Sequence, residues 1–231
     1  MAISKTATST ASNIDLGLRD HMVSVYNQMG IGLAISGAVA YLVSAVPALT
    51  ALFLGGPQVW FFILAPLAMV FWLSWKINSL SVSTARTAFY AYAGLMGISL
   101  STLFLVYELG SIVQVFLITA IMFLAMSLYG YTTKKDLTSL GSFLFMGLIG
   151  LIVASIVNLF LQSSALAFAI SCIGVIIFTG LTAYDTQKIK EIYYHTRGDE
   201  RTKAGIMGAL TLYLDFINLM IHLLQLLGQR K

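Results

Sequence analysis

Charge is scarce in this chain. Only 10% of its 231 residues are Asp, Glu, Lys or Arg, against about 25% in an ordinary soluble domain. With 58% of residues hydrophobic, nearly all of the chain is needed to cross a bilayer, and no separate soluble domain fits. Cysteine is limited to Cys172, which lies in an apolar run. An intrachain disulfide is therefore excluded, and Cys172 reads as a small core residue. The first ~20 residues are Ser/Thr-rich and contain no apolar core, so no cleavable signal is expected. The net charge of +4 is small. In a membrane protein such an excess records topology, and it does not call for a nucleic-acid partner.

Long apolar runs take the place of charge. A membrane-spanning helix needs about 20 mainly apolar residues. Seven stretches qualify, at roughly 29–46, 59–75, 87–106, 112–131, 142–161, 166–183 and 204–227. Residues 1–25 read as a polar cytosolic tail suited to recognition, and residues 26–231 as one seven-helix transmembrane domain in the lipid bilayer. The connections are short, so sequential helices should run antiparallel. Pro47, Gly55-Gly56-Pro57, Asn78-Ser79 and Gln162-Ser163-Ser164 mark turns between them.

The basic residues orient the bundle. With the N-terminus in the cytosol, Lys5, Arg19, Lys76, Arg86, Lys134, Lys135, Lys188, Lys190, Arg197, Arg201 and Lys203 all fall on that side. Only Arg230 and Lys231 fall opposite, because a seventh crossing carries them out. A last segment that re-entered without crossing would return them to the cytosol; its length favours full crossing. Small residues at Gly30, Ala34 and Ala38, and at Gly150 and Ala154, have the spacing that lets helices pack closely in lipid. Pro66 should kink the second span, and Trp60, Trp72 and Trp75 read as interface anchors.

The most expensive residue in the chain is Asp215, in the middle of the last span. A carboxylate at that depth costs at least ~2.5–3.5 kcal/mol on insertion scales and calls for a partner or a function. At 100° per residue, Thr211, Asp215, Asn218, His222, Gln225 and Gln229 fall within about 80° of one another. Such a polar stripe should face the bundle interior or a water-filled cavity. The alternative is that its members only tie helices together. The second candidate is Asp185, near the cytosolic end of the sixth span, sharing a face with Thr182. Alone it reads as an interfacial residue paired with Lys188. If it meets Asp215, the two carboxylates cannot both ionise cheaply. Such a pair would hold one proton and offer hard oxygens to a divalent cation.

Enzyme signatures are missing: no metal-site His/Glu spacing, no nucleophile elbow, no phosphate-binding glycine loop. His21, His195 and His222 are too scattered for a metal cluster, and no cofactor is called for. A retinal protein would need a lysine inside the last helix, and none lies between Lys203 and Lys231.

The segments with the two acids carry a longer signature. Thr182-Ala183-Tyr184-Asp185-Thr186-Gln187-Lys188-Ile189 and Ala209-Leu210-Thr211-Leu212-Tyr213-Leu214-Asp215-Phe216-Ile217-Asn218-Leu219 closely resemble the Bax-inhibitor family of membrane proteins. The run from Met126 to Leu137 is similar to that of its bacterial inner-membrane members. The likeness extends from about Tyr26 to Gly228. It implies an all-α membrane protein with six helices surrounding a central seventh, in a bacterial inner membrane. It implies that Asp185 and Asp215 form a hydrogen-bonded pH-sensing pair, able to bind calcium, that gates a calcium leak, with Thr182, Thr211, Asn218 and His222 as pathway lining. Other members are linked to stress protection or to modulation of a membrane-bound protease. One relative-like feature departs: where some bacterial members place a latching arginine late in the second helix, this chain has Ser74, leaving Lys76 or Arg86 as the latch. A buried glutamate of some relatives is also absent from Ile63-Leu64-Ala65-Pro66. The expected function is a pH-sensitive calcium or cation leak; the alternative is an interaction protein that restrains another membrane protein such as a quality-control protease.

Overall fold

The structure is a computed structural model describing residues 3–231, with side chains from Leu16 onward. Eight helices follow one another: α1 (Ile3–Ala45), α2 (Pro47–Leu54), α3 (Val59–Lys76), α4 (Val82–Val106), α5 (Leu109–Thr132), α6 (Thr138–Leu161), α7 (Ser164–His195) and α8 (Gly198–Leu227). Seven of them are long and apolar enough to cross a membrane, all but the eight-residue α2. Local chemistry sets several ends. Pro47 opens α2 at the position where its missing N–H is no loss. Ser81 and Ser163 cap α4 and α7, their hydroxyls accepting from the N–H of Thr84 (3.1 Å) and Leu166 (3.3 Å). Gln162 ends α6 in the left-handed conformation, φ 50°.

Two expectations shift. The first span begins earlier than residue 29: α1 runs unbroken through residues 25 and 26, and its candidate span is Leu16–Ala45. Leu18, Met22, Val25 and Met29 are buried in the core. The supposed tail up to residue 25 is thus in part a wall of the bundle; Lys5 and the other residues before Leu16 lie outside the described side chains. The packing stripe is also one face over. Gly30, Ala34 and Ala38 are exposed, while Gly32, Ser36 and Ala40 are buried. A Cβ on Gly97 of α4 would meet the Ser36 backbone carbonyl at 2.7 Å, so α1 and α4 touch backbone to backbone there. Gly150 likewise faces outward, with nothing within 4 Å of a Cβ placed on it.

The last helix is the centre, with a modified ring. α8 packs on α7, α1, α5 and α4, whereas the main packing partner of α3 is α4 and that of α6 is α7. Four helices thus pack closely on α8, with α3 and α6 held mainly through α4 and α7. α8 runs the full height of the bundle. At its start, Lys203 Nζ donates to the Asn78 carbonyl between α3 and α4 (3.1 Å). At its end, the backbone pairs with the turn between α4 and α5: Glu108 N–H to Gln229 O (3.0 Å) and Lys231 N–H to Val106 O (3.0 Å). The re-entrant alternative is thereby set aside: Arg230 and Lys231 sit at the opposite end from the basic connections.

Candidate functional site

α7 and α8 lie antiparallel and meet along a seam. Near one end of it, a Cβ on Gly208 would meet Ile189 Cγ1 at 2.9 Å; toward the other, a Cβ on Gly174 would meet the His222 ring at 2.5 Å. Between these points the side chains of Asp185 and Asp215 face each other closely enough for each to bear on the other's charge. Asp215 is only 4% exposed. Its Oδ2 is buried and takes no hydrogen bond from any N–H or O–H donor. A carboxylate has only acceptors, so two carboxyls can bond only when one carries a proton. Burial makes a doubly ionised pair at this place costly. α7 continues to His195, so Asp185 lies three turns inside the helix and not at its end. Among the described residues, Lys188 is the cation whose charge bears on it.

The surroundings of Asp185 are held by close backbone approaches. A Cβ on Gly130 of α5 would overlap the Ala183 carbonyl, and one on Gly141 of α6 would run into the Tyr184 ring at 2.5 Å. Gln187, two residues along from Asp185, clamps the connection between α5 and α6: its Nε2 donates to Lys135 O (2.8 Å), and its Oε1 accepts from Leu137 N–H (2.9 Å). Thr186 joins Ser127 of α5 (3.0 Å), whose hydroxyl also pairs with the Tyr26 phenol of α1. Tyr26, Ser127, Thr186 and Gln187 were not singled out in the sequence, because their partners are far along the chain; Gly130 and Gly141 at least show as small residues inside apolar helices.

The polar stripe of α8 divides. Thr211 and Asn218 donate to their own helix, to Met207 O (3.1 Å) and Leu214 O (2.8 Å), as Thr182 does to Phe178 O (2.8 Å). They do not tie helices together, and their remaining lone pairs stay available. His222 stacks on Phe178, with centroids 5.7 Å apart and planes 23° apart. Gln225 is helix glue, its Oε1 accepting from Ser171 (2.8 Å). Beyond it the seam opens into a cleft of about 580 Å³ whose polar lining includes Asn158, Gln162, Ser163, Ser171 and Gln225. Polar groups thus lead from the acid pair to the surface at the end away from the basic connections.

The latch is not formed. Ser74 is exposed on α3, Lys76 lies 5.1 Å over the Trp75 ring, and Arg86 borders a surface cleft with Asp20, Ser24, Asn27 and Tyr90. Among the described residues no group of three or more His, Cys, Asp or Glu comes together as a resident metal site.

Comparison with known proteins follows the same residues. Residues 18–231 match the family described as Inhibitor of apoptosis-promoting Bax1. A protein of Rickettsia prowazekii (strain Madrid E) is 47% identical over 230 residues, covering 98% of each chain. Inner membrane protein YbhL of Escherichia coli (strain K12) is 47% identical over 219 residues, covering 93% of this chain and 94% of its own. A membrane protein of Streptococcus pyogenes serotype M3 is 36% identical over 218 residues, covering 93% and 95%. With a family match across almost the whole chain and seven apolar helices, the last of them carrying the buried Asp215, the chain belongs to the Bax-inhibitor family of membrane proteins.

Proposed function

We propose that the protein is a pH-sensitive cation leak, with calcium as the ion carried and the Asp185–Asp215 pair as its gate. The observation that carries this reading is the contact between two carboxyl groups, one of them almost fully buried, at the head of a polar seam. With one proton shared, the pair is a singly charged plug and the basic end of the bundle is sealed. As pH rises and the proton leaves, two negative charges face each other and separate. The opened path runs past Thr182, Thr211, Asn218 and His222 to the polar cleft. Two carboxylates fall short of the six to eight oxygens that hold calcium firmly, which suits an ion in transit better than one in residence. The role is transport without catalysis. The name of the Escherichia coli relative supports a bacterial inner membrane, and the basic connections support a cytosolic N-terminus.

The test is calcium entry into liposomes containing the purified protein, read with an internal dye from pH 6 to pH 8. The native chain should leak more as pH rises. Asp215→Asn should remove the pH dependence, since an amide can hydrogen-bond Asp185 without a titrating proton. Unchanged flux and unchanged pH response in Asp215→Asn would overturn the gate and leave partner binding, such as restraint of a membrane-bound protease, as the reading to pursue.

A further inference from the structure

A second feature lies outside the α7–α8 seam, on the face that meets lipid. α1 and α5 are not packed neighbours, although both line the same side of the bundle. Between them is a groove of about 770 Å³, with Val23, Leu124 and Leu128 on its walls and Arg19 and Tyr131 among its lining. The floor is polar and crosses the gap: the Tyr26 phenol of α1 bonds the Ser127 hydroxyl of α5, which bonds Thr186 of α7. Val23, Leu124 and Leu128 are exposed, so the walls stand open to the membrane.

The ends of the groove differ. Tyr131 lies one residue before the end of α5, at the level where tyrosines meet headgroups. Arg19 lies within the first turn of the α1 candidate span, at the same end. A second cation joins them there: Lys190 Nζ donates to the Tyr131 carbonyl at 2.8 Å and sits 5.4 Å from its ring. From Tyr131 inward to Leu124 the groove extends seven residues along α5, about 10 Å at 1.5 Å per residue. That is shorter than one leaflet, roughly half of the ~30 Å hydrocarbon core. A helix crossing the bilayer would outrun such a groove by most of its length. An acyl chain of one leaflet, with its headgroup at the cationic end, matches both the length and the charge.

We propose that the α1–α5 groove is a binding site for one anionic phospholipid of the leaflet at the basic end. One acyl chain lies between Val23, Leu124 and Leu128, and the headgroup phosphate meets Arg19, with Lys190 adding positive potential behind it. The site is independent of the proposed leak.

The experiment is native mass spectrometry of the full chain in detergent, exposed to equal amounts of phosphatidylglycerol and phosphatidylcholine. The native protein should retain one phosphatidylglycerol in preference. Arg19→Gln should cut that preference about five-fold, as loss of one basic residue near an anionic surface predicts. Leu128→Trp, which fills the groove from an exposed position, should remove the retained lipid. Leu117→Trp, also exposed on α5 but outside the groove, should leave it. Equal losses in Leu117→Trp and Leu128→Trp, or an unchanged preference in Arg19→Gln, would overturn the site. Should a variant fail to fold, the native chain with a photoactivatable phosphatidylglycerol decides alone. Labels concentrated on residues 124–128 support the groove, and labels spread evenly over α3 and α6 refute it.

Discussion

α6 and α8 are neighbours of the same helix, α7, and they are built on opposite terms. Of the residues in their apolar windows, 11% are buried in α6 and 67% in α8. Yet α6 is the more apolar of the two, and its Phe143, Met146, Leu159 and Phe160 are left outside. In water that order would be reversed. In lipid, exposed apolar side chains lose nothing by facing the tails, so packing and polar contacts decide which helix goes inside. α8 has what a centre needs: small residues for close approach, aromatics that interlock with other helices, and polar groups that lipid would penalise. Tyr213 shows this. It is fully buried, its hydroxyl pairs with Ser36 of α1 (2.6 Å), and its ring meets Phe89 and Tyr92 of α4 edge-on.

The contrast can be broken at several points. The largest effect is expected where backbones touch. Gly130→Ala drives a methyl into the Ala183 carbonyl, which has no flexible end to move, while Gly150→Ala on α6 meets nothing within 4 Å. Overpacking of this kind costs about 1–3 kcal/mol or more. Thermal unfolding in detergent should show a marked loss for Gly130→Ala and none for Gly150→Ala; matching stabilities would refute the close α5–α7 approach. Next comes a pair of phenylalanines. Phe216 of α8 is 2% exposed and packs against Phe116 and Phe123 of α5, whereas Phe143 of α6 is 71% exposed. Phe216→Ala should lower stability by about 3 kcal/mol, and Phe143→Ala should leave it nearly unchanged on the same scale.

The smallest expected effect lies in the connection between α5 and α6. The Thr138 side chain, and then the Thr138 N–H from which Asp136 Oδ1 accepts (2.8 Å), hold the Asp136 carboxyl below the usual carboxylate range. A depressed carboxylate stabilises the fold above its unfolded pKa and loses that contribution as pH falls through the folded value. Asp136→Ala should therefore lower the melting temperature slightly at neutral pH, with the difference closing only under strongly acidic conditions. A difference that grows on acidification would contradict this assignment.

The seven spans were legible in the sequence because each is a long apolar run bounded by turn residues, a signal that needs no tertiary context. The start of α1 was less so, since Asp20, His21 and Ser24 hide the apolar row Leu18, Met22, Val25 and Met29 in any averaged reading. That row still has the three-to-four spacing of a helix face. The face choice in α1 was not legible: Gly30-Ala34-Ala38 and Gly32-Ser36-Ala40 are equally regular, and only the position of α4 selects the second. In the candidate site, Asp215 announced itself by cost. The hydroxyls of Ser127 and Thr186 did not, because a serine or threonine is cheap inside a helix when it can bond back to its own carbonyls.

Sequence alone determined that this chain crosses a membrane seven times, with basic connections at one end, because apolar length and charge asymmetry act locally on each segment. It also marked Asp215 as a residue in need of a partner. The tertiary structure decided which helix is central, which face of α1 is packed, which four helices pack most closely on α8, and that Asp185 faces Asp215 across the seam. Those outcomes depend on shapes meeting across the bundle. Lipid is indifferent to which apolar face it receives, and only backbone proximity and polar contacts across the bundle make one arrangement better than another.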